Sequence, residues 1–301
     1  MAVTVHHVVE TLYALFPEPT EENADECETL IPHVVALREW IGEIGLQTEN
    51  AMNLLLRAGT YQAAQNRHNE AEPLFLEALR IYGQVKPAHS SEMARGLTGL
   101  ANMYAAQKLD APAEALYLRT VAIRKTLKPV DEWAVIDALD NLAQFYEDRF
   151  QWQKAEAAWS DAVNLARKAK PTMPLALSRQ LNALGFFYYK IGAVTKAEPL
   201  FTEALKIQRA SLPPLHPDIA SSLNNLATVY NSQNRHDEAE PLLVEALDIV
   251  QQSLGLEHPD TLLYTNNLRL LRKNTLAQET SQSQEQKMMG FFGRLFSRRE
   301  R

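Results

Sequence analysis

The sequence predicts an all-α fold, a solenoid of antiparallel helix pairs, and three observations predict it. The dipeptide Ala-Glu occurs at Ala71-Glu72, Ala113-Glu114, Ala155-Glu156, Ala197-Glu198 and Ala239-Glu240, each 42 residues after the last. Tyr104, Tyr146, Tyr188 and Tyr230 keep the same period, as do Leu55, Leu97, Leu139, Leu181 and Leu223. Within residues 217 to 258, Ile219, Leu223, Leu226, Ala227 and Tyr230 form one run, and Ala239, Leu242, Leu243, Ala246 and Leu247 form a second. Both runs have the i, i+3, i+4, i+7 spacing of an amphipathic helix, and a fixed period of this size is the signature of a repeat array.

Composition narrows the classes further. With 46% hydrophobic residues and only 11 glycines and 15 prolines in 301 residues, the chain can bury a substantial core and is neither disordered nor collagenous as a whole. Cys27 has no second cysteine to pair with, and MAVTVHHVVE lacks the basic and long apolar regions of a secretory signal, so a reducing, cytoplasmic setting is expected. No stretch approaches the roughly 20 apolar residues that span a bilayer.

The head, residues 1–47, does not share the period. Val8, Leu12 and Leu15, then Leu30, Val34, Leu37 and Ile41, are helically spaced on either side of the acidic stretch FPEPTEENADE. Two or three helices packed on the first repeat are predicted. This head carries nine acids against Arg38 alone. An acidic head, a near-neutral body and a basic tail do not make the broad basic face that nucleic-acid binding needs.

The array, residues 48–274, reads as five units and a C-terminal capping helix. Thr195 with Glu198 fits a capping box and Asp237 with Glu240 resembles one, while Pro73, Pro199 and Pro241 recur at one register and read as helix starts. Small Ala71, Ala113, Ala155, Ala197 and Ala239 let the second helix of each unit approach the first. The first unit departs from the pattern at Ala58, Gly59 and Tyr61, as a distorted cap would. The restart after His258 has no second helix behind it, which is the form of a solenoid's end cap.

The run SLNNLATVYNSQNRHDEAEPLLVEALDIVQQSLGLEHPDT, Ser222 to Thr261, resembles the 42-residue tetratricopeptide repeat of the kinesin light chain type, including the His-Pro-Asp between units. The resemblance implies a right-handed superhelix that binds a peptide or partner protein in its concave groove. LFPEPTEENADECETLIPHVVALREW, Leu15 to Trp40, is similar to the segment joining the nucleotide-binding module to the repeats of bacterial NB-ARC signalling ATPases. No G-x-x-x-x-G-K-S/T phosphate loop is present, so this second resemblance implies a sensor acting with a separate nucleotide-binding chain.

Catalytic chemistry finds little support. His216 and His258 precede Pro-Asp at the inter-unit turns and read as helix-start residues. His68 and His236 share a register between helices and read as solvated. His6-His7 has no carboxylate or cysteine at ligand spacing, so no metal and no cofactor are expected. Cys27 lies among acids that raise a thiol pKa, the reverse of activation. Binding residues are easier to name. Asn141, Asn225 and Asn267 occupy one register of the first helix, where proteins with this type of repeat place an asparagine that contacts the ligand backbone. An amide offers donor and acceptor together, as an extended peptide does. Asn182 and Asn224 stand one position earlier. Gly99 and Ala183 break the ladder. Phe186, in the cluster Phe186-Phe187-Tyr188-Tyr189, is the member expected to face the groove. Arg95, Arg179 and Lys190 add charge there, against Asp137, Asp140 and Asp148.

The tail, residues 275–301, runs from a polar stretch into MMGFFGRLFSRRER. Phe291, Phe292, Leu295 and Phe296 fall on one side of a short helix, with Arg294, Arg298, Arg299 and Arg301 around the other. Three readings stay open: an in-plane membrane helix, docking on the array's own C-terminal face, and a handle for a partner. The sequence leaves the oligomeric state open.

Overall fold

The structure is a computed structural model that describes residues 2–85, 91–169 and 172–276. It divides into two units, Met1–Leu165 and Ala166–Arg301. Among the described residues every regular element is helical. The order is α1 (Ala2–Leu15), α2 (Ala24–Ile44), α3 (Glu49–Ala64), α4 (His68–Val85), α5 (Ser91–Ala106), α6 (Asp110–Thr126), α7 (Glu132–Asp148), α8 (Trp152–Ala166), α9 (Pro174–Lys190), α10 (Val194–Ser211), α11 (Pro217–Ser232) and α12 (His236–Leu254). A final helix, α13, covers residues 259–276. No helix among the described residues is long and apolar enough to cross a membrane.

In the first unit the head forms two helices. Both α1 and α2 pack on α3, and α2 also reaches α4. Val9, Val34 and Ile41 are fully buried in the same cluster as Leu54, Leu55, Phe75 and Ile81, so the head shares one core with the first repeat. The α3–α4 pair is regular despite its departures from the pattern. Its Gln62, not Tyr61, takes the register of the later tyrosines and is buried, while Tyr61 donates to Glu28 Oε2 of α2 at 2.7 Å. In the second unit α9 packs on α10, α10 on α11 and α11 on α12. Leu268 and Leu271 of α13 close the cluster built on Ala227, Ala239 and Leu243.

Three details correct the sequence reading. Pro73, Pro199 and Pro241 are not helix starts but the sixth residues of α4, α10 and α12. Each removes one ladder donor, and the carbonyls left over belong to Asn69, Thr195 and Asp237, which are exposed and can bond water. The capping boxes are absent as well: α10 and α12 begin after Ala193 and Arg235, without side-chain caps, so that Thr195 and Asp237 already sit inside their helices. His68 and His236 are also not solvated at Nδ1, since that atom is buried on both and has no hydrogen-bond partner in the structure.

The reason the second helices start so early is the turn. The backbone N–H of Arg67, Leu109, Gln151, Ala193 and Arg235 donates to the carbonyl five residues back, on Gln62, Tyr104, Tyr146, Tyr188 and Tyr230, at 2.8 to 2.9 Å. The residue before each donor, Asn66, Lys108, Phe150, Gly192 and Asn234, is in the left-handed region at φ 57° to 77°. This is a Schellman closure repeated with the 42-residue period, and it turns the chain into the next helix within three residues.

A second recurrent tie joins α4, α6 and α12 to the following first helix, and α10 to the turn after α11. The Glu of Ala-Glu is the acceptor: Tyr104 donates to Glu72 at 2.7 Å, Tyr146 to Glu114 at 2.9 Å, Arg235 to Glu198 at 2.8 Å and Arg272 to Glu240 at 2.7 Å. The alanines beside them, Ala71, Ala113, Ala197 and Ala239, are fully buried, so the dipeptide supplies close approach and an anion for the next helix.

Candidate functional site

The candidate surface is the one built by the first helices, α3, α5 and α7 in one unit and α9, α11 and α13 in the other. Their apolar stripes are spent on packing, which leaves the remaining stripe polar and open. In the first unit this stripe forms a hollow of about 310 Å³. Arg95, Thr98 and Asn102 of α5, Arg124 of α6, and Asp137 and Asn141 of α7 supply its polar groups.

Each of these is held in its own way. Asn141 is exposed and its Nδ2 donates to the Asp137 carbonyl at 2.9 Å, which leaves its Oδ1 outward. Thr98 donates back to Ala94 at 3.0 Å, one turn earlier. Asn102 accepts from Tyr117 Oη at 2.5 Å. Burial pushes the Tyr117 phenol up to about 12, so this hydroxyl stays a donor. Arg95 approaches Glu18 at 3.7 Å. Arg57, at the Asn141 register in α3, holds Glu18 at 3.0 Å and the Phe16 carbonyl at 2.7 Å, tying the α1–α2 connection across α3.

In the second unit the predicted residues divide into two groups. Asn182 donates to Ser222 Oγ at 2.9 Å and joins α9 to α11. Asn267 donates to Asn224 Oδ1 at 2.8 Å and joins α13 to α11. These three amides tie neighbouring helices together. Asn225 is half-buried and Arg179 is exposed. Phe186 is 49% exposed while Phe187 is fully buried and Tyr188 is buried. Lys190 Nζ lies 5.4 Å above the Phe186 ring, a cation–π approach that presents ring and charge together. The tail residues Phe291, Phe292, Arg294, Leu295, Phe296, Arg298 and Arg299 lie outside the described residues.

Gly99 has a packing reason. A Cβ there would meet Phe75 Cε1 at 2.8 Å, so the ring of α4 occupies the place an asparagine would need. Thr98, Asn102 and Arg124 were not picked out from the sequence. Thr60 and Asn102 share the register of Phe186, which was the available signal.

The groups that invite chemistry are placed for structure. His216 Nδ1 accepts from the Asp218 N–H at 3.1 Å and caps α11. His258 Nδ1 accepts likewise from Asp260 at 3.2 Å. Cys27 is fully buried, and burial first, then Glu26, raises its thiol pKa. Among the described residues no three His, Cys, Asp or Glu side chains are grouped to hold a metal ion.

Residues 175–252 and 218–268 match the tetratricopeptide repeat family model. No curated protein sequence matches the chain. Among solved structures it is similar to BtubC (BKLC) from P. vanneervenii, with 18% identity over 85% of this chain and 94% of that one, at a TM-score of 0.58. It is also similar to a Podosopora anserina protein of kinesin light chain type with nearly identical TPR-like repeats, with 21% identity over 69% of this chain and 99% of that one, at 0.58. The apo form of RapI gives 14% identity over 92% and 87%, at 0.64. These likenesses establish the fold, an all-α tetratricopeptide arrangement of antiparallel helix pairs.

Proposed function

Taking the tetratricopeptide fold as premise, we propose that this chain is a non-catalytic interaction module that binds a peptide or a partner protein's surface along its first helices. The observation that carries the reading is the open hollow on α5 and α7, where Arg95, Asn102, Arg124, Asp137 and Asn141 converge on about 310 Å³ of space. Mixed charge and an outward amide suit an extended backbone with polar side chains, and each amide-to-backbone hydrogen bond contributes about 1 kcal/mol net. Phe186 with Lys190 offers an apolar anchor of the same kind in the second unit.

The test separates groove residues from helix ties. Peptides selected from a displayed random library on the intact chain are measured by calorimetry against Arg95→Ala with Asn141→Ala, against Asn225→Ala with Phe186→Ala, and against Asn182→Ala as the structural control. At least tenfold weaker binding by one groove pair, with its thermal melt unchanged, is the expected result. Peptides bound by both groove pairs as tightly as by the unsubstituted chain would remove the assignment.

A further inference from the structure

A trough of about 650 Å³ runs along the α1–α2 pair, walled by Val5, Val8 and Leu12 from one helix and Ala36, Leu37 and Trp40 from the other. Val5, Leu12 and Leu37 are buried, but Val8 is 40% and Trp40 46% exposed. An apolar channel between two helices is shaped for the apolar face of a third, the helix-in-groove mode of recognition. Thr4, Thr11 and His33 complete the lining, and the acids of the head stand outside it. Glu26, Glu39 and Glu43 of α2 are exposed, and residues 1–47 hold nine acids against one base.

The complementary chemistry is in the same chain. Lys287 to Arg301 carries five bases and one acid. Within it Met288, Phe291, Phe292, Leu295 and Phe296 fall at i, i+3, i+4, i+7 and i+8, one continuous apolar stripe when wound as a helix. Fourteen residues, 288–301, wound as a helix would extend about 21 Å, the same length as the fourteen residues of α1. We propose that the α1–α2 trough receives residues 288–301 of a second copy of the chain. The stripe fills the space between Val8 and Trp40, and the arginines face the acids of α2. The two surfaces are unlike, so the pairing is head-to-tail and leaves a free trough and a free tail on the terminal copies.

The experiment uses a fluorescein-labelled peptide of residues 288–301 with the chain lacking those residues, read by anisotropy, together with sedimentation velocity of the full chain. Saturable binding is expected that weakens at least tenfold in Val8→Asp and in Trp40→Glu. Both positions are partly exposed, so the helical melt should be retained and either variant suffices if the other misfolds. Raising ionic strength about tenfold should weaken binding severalfold. The full chain should sediment as larger species as concentration rises, and the truncated chain should not. Binding that neither substitution changes, or peptide taken up by anionic phospholipid vesicles but not by the chain, would overturn the proposal. So would a full chain that stays monomeric at every concentration.

Discussion

Replacing Lys108 with glycine should make the protein more stable. Lys108 sits at φ 60° in the α5–α6 turn, where Gly192 stands in the α9–α10 turn and Asn66 and Asn234 in two others. An L side chain in the left-handed region costs about 1–2 kcal/mol from the clash of Cβ with the carbonyl. Glycine removes that cost but makes the unfolded chain more flexible, which offsets about 0.5–1 kcal/mol. Lys108 is exposed, so little contact is lost. The net gain is about 0.5–1 kcal/mol, or a rise in Tm of roughly 1–3 °C for a chain of this size. Thermal melts by circular dichroism at matched concentration measure it, with Lys108→Ala as the partner variant that keeps the clash. A Tm for the glycine variant at or below both wild type and the alanine variant would refute the reasoning. Phe150, at φ 57° and 74% exposed, sits in the same position of the α7–α8 turn. It should gain less on replacement by glycine, because its ring meets Trp152 edge-on at 5.4 Å.

Three further outcomes follow from the packing. Gly99→Asn, which would complete the asparagine ladder, should instead destabilise by about 1–3 kcal/mol in urea unfolding, because the new Cβ overpacks against Phe75. Asn267→Ala and Asn182→Ala should each lower stability by about 1 kcal/mol through loss of a bond between helices, while Asn225→Ala leaves the melt unchanged. Burial, then the hydrogen bond to Glu72, pushes the Tyr104 phenol up to about 12, above the value of about 10 in an unfolded chain. The native state therefore keeps a proton that the unfolded state gives up. That stabilisation is whole below pH 10 and declines as pH rises from 10 toward 12, so melts of Tyr104→Phe should fall less steeply over this window than those of the wild type.

The helix pairs were legible because their determinants are local and recur. An amphipathic stripe with one small residue per helix fixes which faces meet, and the period of Ala71, Ala113, Ala155, Ala197 and Ala239 prints that requirement five times. The second head helix was legible for the same reason, from the spacing of Val34, Leu37 and Ile41, whereas the first buries Val5, Val9 and Leu12 and leaves Val8 and Leu15, read as part of its stripe, exposed. The exact starts of α10 and α12 were not, because a Schellman closure ends one helix and aims the next with backbone bonds alone. That closure stands on Asn66, Gly192 and Asn234 but, at a cost, also on Lys108 and Phe150, so no single residue type marks it, and the pull of Thr195 and Asp237 toward a cap is overridden. The Glu of the repeated dipeptide was visible as a pattern without a role, since its partners lie 32 to 37 residues away, on the next first helix or in the turn that ends it. The groove shows the limit most clearly. The sequence by itself determined that asparagines line one register, but only the tertiary structure decided which of them are committed. Whether an amide at that register faces outward, as at Asn141, or bridges to Asn224, as at Asn267, depends on how closely the neighbouring helix approaches, and that distance is set by packing across the whole pair.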